Sequence, residues 1–257
     1  MIVSFTQTYG NDRKQLLDIY AKDEKLIEFK NLFDLNIYSF HNVNDETINY
    51  FKQINKVKNT KELIFYNIPY TDTIKFLKSF IIDKNCTHFF FSQDDTFSFN
   101  NQNVDFKELI NYVKEFKSNF LLCLAKKGNN EFSKMLNKNI IKKDTFYIYE
   151  YTSLDFLKIE KSLNKDESEG PTSNDWWPFD DTPFICTYDL LDTIYDDKFF
   201  SQNRVWEAEF YLRTKFTYKS IPRFTTDQAI FKNYNIIGRT LSKKEDNILQ
   251  LKQKNLI

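Results

Sequence analysis

The sequence predicts one α/β domain built on a mostly parallel sheet with helices on both faces. Three observations predict it. Short apolar runs alternate with helix-like segments through about the first hundred residues, the pattern of parallel strands joined by helical crossovers. The run Thr87 to Ser92 carries Phe89-Phe90-Phe91 at its centre, as expected of a strand covered on both faces. Aromatics make up 18% of the 257 residues, with 27 Phe and 15 Tyr, so a large core can be packed with rings.

The elements follow in order. Ile2 to Thr6 predicts a strand ending in the polar turn Gln7-Thr8-Tyr9-Gly10-Asn11. A helix from Asp12 places Leu16, Leu17, Tyr20 and Ala21 on one face. Leu35 to Phe40 is a second strand, and His41 to Asp45 leads into a helix carrying Ile48, Phe51 and Ile54. Leu63 to Tyr66 is a third strand. Thr71 or Asp72 can cap a helix that buries Ile74, Leu77 and Phe80. Thr87 to Ser92 is the fourth strand. Phe106 to Lys117 reads as a helix, and Phe120 to Leu124 and Phe146 to Tyr151 as strands. Lys161 to Asp175, with Gly170-Pro171, is the one clear stretch of low hydrophobicity. It is expected to be a mobile loop inside the domain.

Absences narrow the chemistry. Glycine occurs only at 10, 128, 170 and 238, so there is neither a P-loop nor a Gly-x-Gly-x-x-Gly turn. His41 and His88 are the only histidines and no cysteines are paired in sequence, which argues against structural zinc. No Ser sits in a Gly-x-Ser-x-Gly elbow. A catalytic metal would be a hard cation held by carboxylates, Mn²⁺ or Mg²⁺. The 36 basic residues balance 36 acidic ones, so a general nucleic-acid binder is not expected. No run reaches the roughly 20 apolar residues of a membrane span, and the first residues lack the form of a signal peptide. Cys86, Cys123 and Cys186 stand apart in apolar stretches and read as buried reduced thiols, hence a cytoplasmic expectation. Of the five arginines, 13, 204, 213, 223 and 239, four fall between 204 and 239. That cluster suits either anion contacts or ordinary surface ion pairs.

The most informative segment is Phe89-Phe90-Phe91-Ser92-Gln93-Asp94-Asp95-Thr96. A buried strand delivers two adjacent acids to the edge of the sheet where open α/β folds bind ligands. Buried carboxylates need a compensating cation, and a divalent ion that bridges a diphosphate supplies one. An Asp-rich turn or a helix cap is the other reading of the same residues.

This strand with its acidic pair, closing a Rossmann-like half of about ninety residues, resembles the nucleotide-diphospho-sugar glycosyltransferases of the GT-A fold, inverting and family-2-like. Their Asp-x-Asp motif lies at this place, and Gln93-Asp94-Asp95 departs from it in its first residue. The resemblance implies that Asp95 binds the metal directly and that Asp94 contacts the ribose or the metal. It places a UDP- or GDP-linked donor against Thr6, Gln7 and Tyr9, with Tyr9 stacked on the base. Arg13 would reach a phosphate or fix the loop, and His41 and Tyr70 would line the same pocket. A capping Thr, a packed Tyr and a satisfied core histidine are the plainer roles for such residues.

A second match is Val205-Trp206-Glu207-Ala208-Glu209-Phe210-Tyr211-Leu212-Arg213, followed by Thr217-Tyr218-Lys219-Ser220-Ile221-Pro222. It resembles the family's acidic helix start and the strand after it. Counted back from Arg213, Glu207 takes the place of the family's catalytic Asp, with Glu for Asp as the departure. The resemblance makes Glu207 the general base that deprotonates an acceptor hydroxyl. A solvated Glu on an amphipathic helix is the alternative.

Between the two lies Asn174-Asp175-Trp176-Trp177-Pro178-Phe179-Asp180-Asp181. Flat rings for sugar C–H faces and carboxylates for hydroxyls make Trp176, Trp177, Asp180 and Asp181 the candidate surface for a carbohydrate acceptor; core packing of the tryptophans competes. Thr226-Asp227-Gln228 either caps a helix or returns a polar group to the donor site. The resemblance thus implies a single domain over 1–257, with 1–100 binding the nucleotide sugar and 101–257 the acceptor. The rival readings are a nucleotidylyltransferase or phosphohydrolase using the same acidic pair, and a sugar-nucleotide-binding or interaction module without turnover. A nucleotidylyltransferase would carry a Gly-rich basic loop after the first strand, which Gln7 to Asn11 does not supply.

Overall fold

A computed structural model describes residues 1–10, 14–98, 103–117, 119–127, 138–151, 183–201, 223–227 and 229–233. In chain order the elements are β1 (Ile2–Tyr9), α1 (Lys14–Tyr20), α2 (Glu24–Lys30), β2 (Leu35–His41), α3 (Asp45–Ile54), β3 (Thr60–Phe65) and α4 (Tyr70–Ile82). Then come β4 (His88–Gln93), β5 (Thr96–Ser98), α5 (Phe106–Glu115), β6 (Leu121–Lys127), β7 (Lys138–Lys142) and β8 (Tyr147–Tyr151). The last are β9 (Phe184–Thr187), α6 (Tyr188–Ile194), α7 (Asp197–Phe200), β10 (Arg223–Thr226) and β11 (Phe231–Asn233).

Nine strands form one sheet in the order β3-β2-β1-β4-β9-β6-β10-β8-β7, and β5 pairs with β11 in a small second sheet. The α/β class and the strand–helix alternation are as the sequence predicts. β1, β2, β3 and β4 are parallel. β9 runs antiparallel between β4 and β6, and β8 runs antiparallel to both β10 and β7. The strand β9, with Phe184, Ile185 and Cys186 all buried, completes the middle of the sheet from far along the chain.

Two apolar cores lie on the two faces. One packs α1, α2, α3 and α5 through residues such as Leu16, Phe29, Phe51 and Leu109. The other packs α4, α6 and α7 through Ile74, Leu77, Leu190 and Phe199. β4 alternates between them: Phe90 enters the first and Phe89 and Phe91 the second. Burying each such ring contributes about 1.5–3 kcal/mol. All three cysteines are buried thiols outside any disulfide. Among the described residues no helix is long and apolar enough to cross a membrane.

Several expectations are corrected. β1 does not stop at Thr6. Gln7, Thr8 and Tyr9 remain in the ladder, because β2 supplies partners as far as Tyr9 and β4 as far as Gln7. The first crossover holds two helices rather than one. Asp23 ends the first run and starts α2, its side chain accepting from the Leu26 amide at 3.0 Å. Helix α4 begins at Tyr70, with Pro69 at the N-cap, so Thr71 and Asp72 lie inside the first turn and neither caps it. Proline's fixed φ, here −56°, favours turning the chain into the helix at that point. There Asp72 complements the helix dipole. β3 starts earlier than predicted, at Thr60, and α5 ends at Glu115. The segment Lys161 to Asp175 lies outside the described residues.

Candidate functional site

The chain winds from β1 to β2 and β3, then returns through α4 to β4 on the other side of β1. This reversal makes the carboxyl ends of β1 and β4 a topological switch point, where open α/β sheets bind ligands in a crevice. Asp94 and Asp95 follow β4 directly into it. The Asp94 amide donates to the Gln7 carbonyl at 3.0 Å, continuing the β1–β4 ladder one step past the strand. The neighbouring exits are tied in the same manner. The Gly10 amide donates to His41 O and the Asn42 amide to Phe65 O, each at 2.9 Å. The Asn67 amide donates to Oδ1 of Asn42 at 2.8 Å. Gly10, Asn42 and Asn67 take positive φ of 80°, 53° and 53°, which glycine and asparagine tolerate at turns.

Register decides what faces the crevice. Ser39, Gln7 and Gln93 stand opposite one another on β2, β1 and β4. They lie two positions beyond Ile37, Phe5 and Phe91, which belong to the α4-side core. On that face the sheet therefore changes from apolar to polar as it reaches its carboxyl edge. Tyr9 and His41 come next, stacked with ring centroids 4.4 Å apart and 18° between planes. His41 in turn stacks on Phe65 at 5.3 Å. Tyr9 remains 37% exposed, so a flat aromatic surface borders the crevice.

The electrostatics are set by burial. Asp94 and Asp95 are 2% and 5% exposed. Burial pushes the His41 imidazole pKa down to about 4, so the ring is neutral at pH 7, with Nε2 3.0 Å from Oγ of Ser39. Burial first, and then the charge of Asp94, raise the Tyr9 hydroxyl well above the usual phenol range. Tyr9 is therefore a neutral donor facing a carboxylate. Nε2 of Gln7 is buried with no hydrogen-bond partner, a costly state that a bound polar ligand would relieve.

Asp94 and Asp95 are oxygen donors of the kind a hard divalent cation takes. The crevice offers two buried carboxylates, and among the described residues no group of three His, Cys, Asp or Glu side chains could hold a metal alone. Mg²⁺-type sites are often built from one or two carboxylates completed by substrate phosphates.

The structure therefore brings together Gln7, Tyr9, His41 and Asp94 from the expected set, with Asp95 buried next to Asp94 in the chain. Thr6 is not in that group. It is 1% exposed and, on the opposite face from Gln7, its Oγ1 lies 2.9 Å from Oγ of Ser92. Tyr70 is the first residue of α4. Arg13, Trp176, Trp177, Asp180, Asp181 and Glu207 lie outside the described residues. Asp227 caps no helix among the described residues but clips β10 to β8, its amide donating to Tyr147 O and its Oδ1 accepting from the Tyr147 amide. Sequence reasoning missed Ser39, whose place follows only from register, and read Gln93 only as the departure from the acidic motif. It also missed Lys30, a lysine with 0% exposure that nothing in an amphipathic helical pattern distinguishes from a solvated one.

Solved structures share this fold. The chain matches 4-diphosphocytidyl-2C-methyl-D-erythritol synthase from Anaerococcus prevotii with a TM-score of 0.52 and 11% identity, over 99% of this chain and 96% of the other. It matches a UDP-glucose pyrophosphorylase complexed with UDP-glucose at 0.51 and 10% identity, over 98% and 100%. HddC from Yersinia pseudotuberculosis follows at 0.50 and 15%, over 99% and 100%. At such identities the likeness is one of fold. No family model matches the chain, and no curated protein matches it in sequence.

Proposed function

We propose that the chain is a transferase that binds a nucleoside-diphosphate sugar across the β1–β4 crevice. The observation that carries this reading is the buried Asp94–Asp95 pair at the switch point, bonded through its backbone to Gln7 and bordered by the Tyr9–His41 stack. Tyr9 offers the base a flat face, and Gln7 Nε2 is a buried group in want of a partner. Asp94 and Asp95 would hold Mn²⁺ or Mg²⁺, which when bound neutralises charge on a diphosphate.

Two transfers are compatible with such a site. In sugar transfer, an acceptor oxygen bonds to the anomeric carbon, the bond from that carbon to the diphosphate oxygen breaks, and Glu207 takes the acceptor's proton. The exit of β1 favours this reading. It offers a single glycine, Gly10, next to an aromatic ring, where transfer from a nucleoside triphosphate calls for backbone amides that cradle three phosphates. In nucleotidylyl transfer, a sugar phosphate attacks the α-phosphorus of a triphosphate and pyrophosphate leaves. The solved structures of similar fold favour that reading.

One set of assays separates them. UDP-glucose and GDP-mannose are incubated with Mn²⁺ or Mg²⁺, with and without pyrophosphate, and the products resolved by chromatography. Free UDP or GDP without pyrophosphate supports sugar transfer; nucleoside triphosphate plus sugar 1-phosphate, formed only with pyrophosphate, supports nucleotidylyl transfer. Binding without any product leaves a module that holds the nucleotide sugar. Calorimetry with UDP and GDP, in EDTA or Mn²⁺, tests the ion, and equal affinity in both conditions removes it from the site.

A further inference from the structure

Lys30 ends α2 and is completely buried. Its Nζ donates to Oγ1 of Thr6 and lies 4.8, 5.3 and 5.8 Å from the ring centres of Tyr38, Tyr20 and Phe90. Neither ion pair found among the described residues involves it. Burial drives its pKa well below that of an ordinary lysine, in keeping with the large cost of an unpaired buried ammonium. An amine in such a place costs stability that a methionine of similar length would not.

What the amine touches gives it a role. Thr6 Oγ1, which accepts from Lys30, also lies 2.9 Å from Ser92 Oγ and 3.4 Å from the Tyr20 hydroxyl. Thr6 and Ser92 are register partners on β1 and β4, so their bridge joins the two strands that form the crevice. Ser92 stands two residues before Asp94, and Thr6 one residue before Gln7, whose carbonyl holds the Asp94 amide. Burial raises the Tyr20 hydroxyl above the ordinary phenol range, the hydrogen bonds with Thr6 and Tyr38 lower it, and the charges of Asp23 and, last, Asp94 raise it further. The polar seam from Lys30 thus reaches Ser92, two residues before Asp94 in the same strand run.

We infer that Lys30 is a positioning residue for Asp94 and Asp95: through Thr6 and Ser92 it fixes the relation of β1 to β4 where the two strands open into the nucleotide crevice. The consequence for ligand binding rests on the function proposed above; the consequence for the strands does not.

The test is Lys30→Met in the full chain. Thermal unfolding gives Tm, amide hydrogen exchange reports Asp94 against the amides of β2 and β3, and calorimetry measures UDP in the presence of Mn²⁺. The Tm is expected to hold or rise. Exchange at the Asp94 amide is expected to accelerate, and Mn²⁺-dependent UDP affinity to fall, each roughly tenfold, the size of effect that loss of a buried hydrogen-bonding partner produces. A lowered Tm with Asp94 exchanging in step with β2 and β3, and unchanged UDP affinity, overturns the inference and leaves Lys30 a packing residue. If the unsubstituted chain binds UDP under no condition, the nucleotide reading fails, and Asp94 exchange alone decides the role of Lys30. Should Lys30→Met not fold, Thr6→Val removes the same bridge while keeping a β-branched side chain in the strand. Faster exchange at Asp94 then supports the inference, and unchanged exchange overturns it.

Discussion

His41 shows how one side chain couples the site to stability. It is 3% exposed, stacked between Tyr9 and Phe65, and hydrogen-bonded to Ser39. Its folded pKa is about 4, below the ordinary 6.5, because burial disfavours the imidazolium. Between those two values the unfolded chain binds a proton that the folded chain refuses. Stability is therefore fully present above pH 6.5 and is lost as pH falls through 4, by up to about 3 kcal/mol for a group of this shift. Urea unfolding at pH 7, 5.5 and 4 is expected to give a steeper loss for the parent than for His41→Gln, which has no proton to take up. Parallel curves would mean that the ring accepts its proton in the folded state. The same neutral ring brings no positive charge to the carboxyl edge of β2 at pH 7.

At the scale of elements, Asp23 does the work of two connections. It caps α2 through the Leu26 amide, and its carboxylate also receives the Ser98 amide and hydroxyl, both at 2.6 Å, from β5. Asp23→Ala is expected to cost roughly 2–3 kcal/mol, a lost cap together with buried donors left unpaired. Denaturant unfolding checks this; a change below about 0.5 kcal/mol, the range of ordinary surface substitutions, would make the links incidental. Asp23 also marks the boundary of what the sequence discloses. Apolar periodicity located β1 to β4 and their helices, because each buried face repeats within a few residues and the signal is local. It disclosed neither the break at Asp23 nor the insertion of β9 between β4 and β6. One depends on a side chain bonding to a residue 75 positions away, the other on pairing of Phe89 with Cys186. The candidate site divides in the same manner. Asp94 and Asp95 stand out as acids at the end of an apolar strand. Ser39 and Gln93 are ordinary polar residues until register sets them beside Gln7.

For the whole molecule, the proposed division of labour separates binding from turnover. The groups gathered at the crevice, Gln7, Tyr9, His41, Asp94 and Asp95, all come from the first hundred residues. The base proposed for sugar transfer, Glu207, comes from the second half of the chain. If the chain transfers sugar with inversion, the acceptor attacks the face of the anomeric carbon opposite the departing diphosphate. Glu207 must then act on the acceptor and take little part in holding the donor. Glu207→Gln keeps the size of the side chain and removes its basicity. It is expected to leave Mn²⁺-dependent binding of the nucleoside diphosphate unchanged, while transfer falls roughly 10²–10⁴-fold, the usual effect of losing a positioned base. Calorimetry measures the first quantity, initial transfer rates the second, and NMR of the product gives the anomeric configuration. An unchanged rate would remove Glu207 from the chemistry. A product that retains the donor's configuration would exclude direct displacement, even if the rate had fallen.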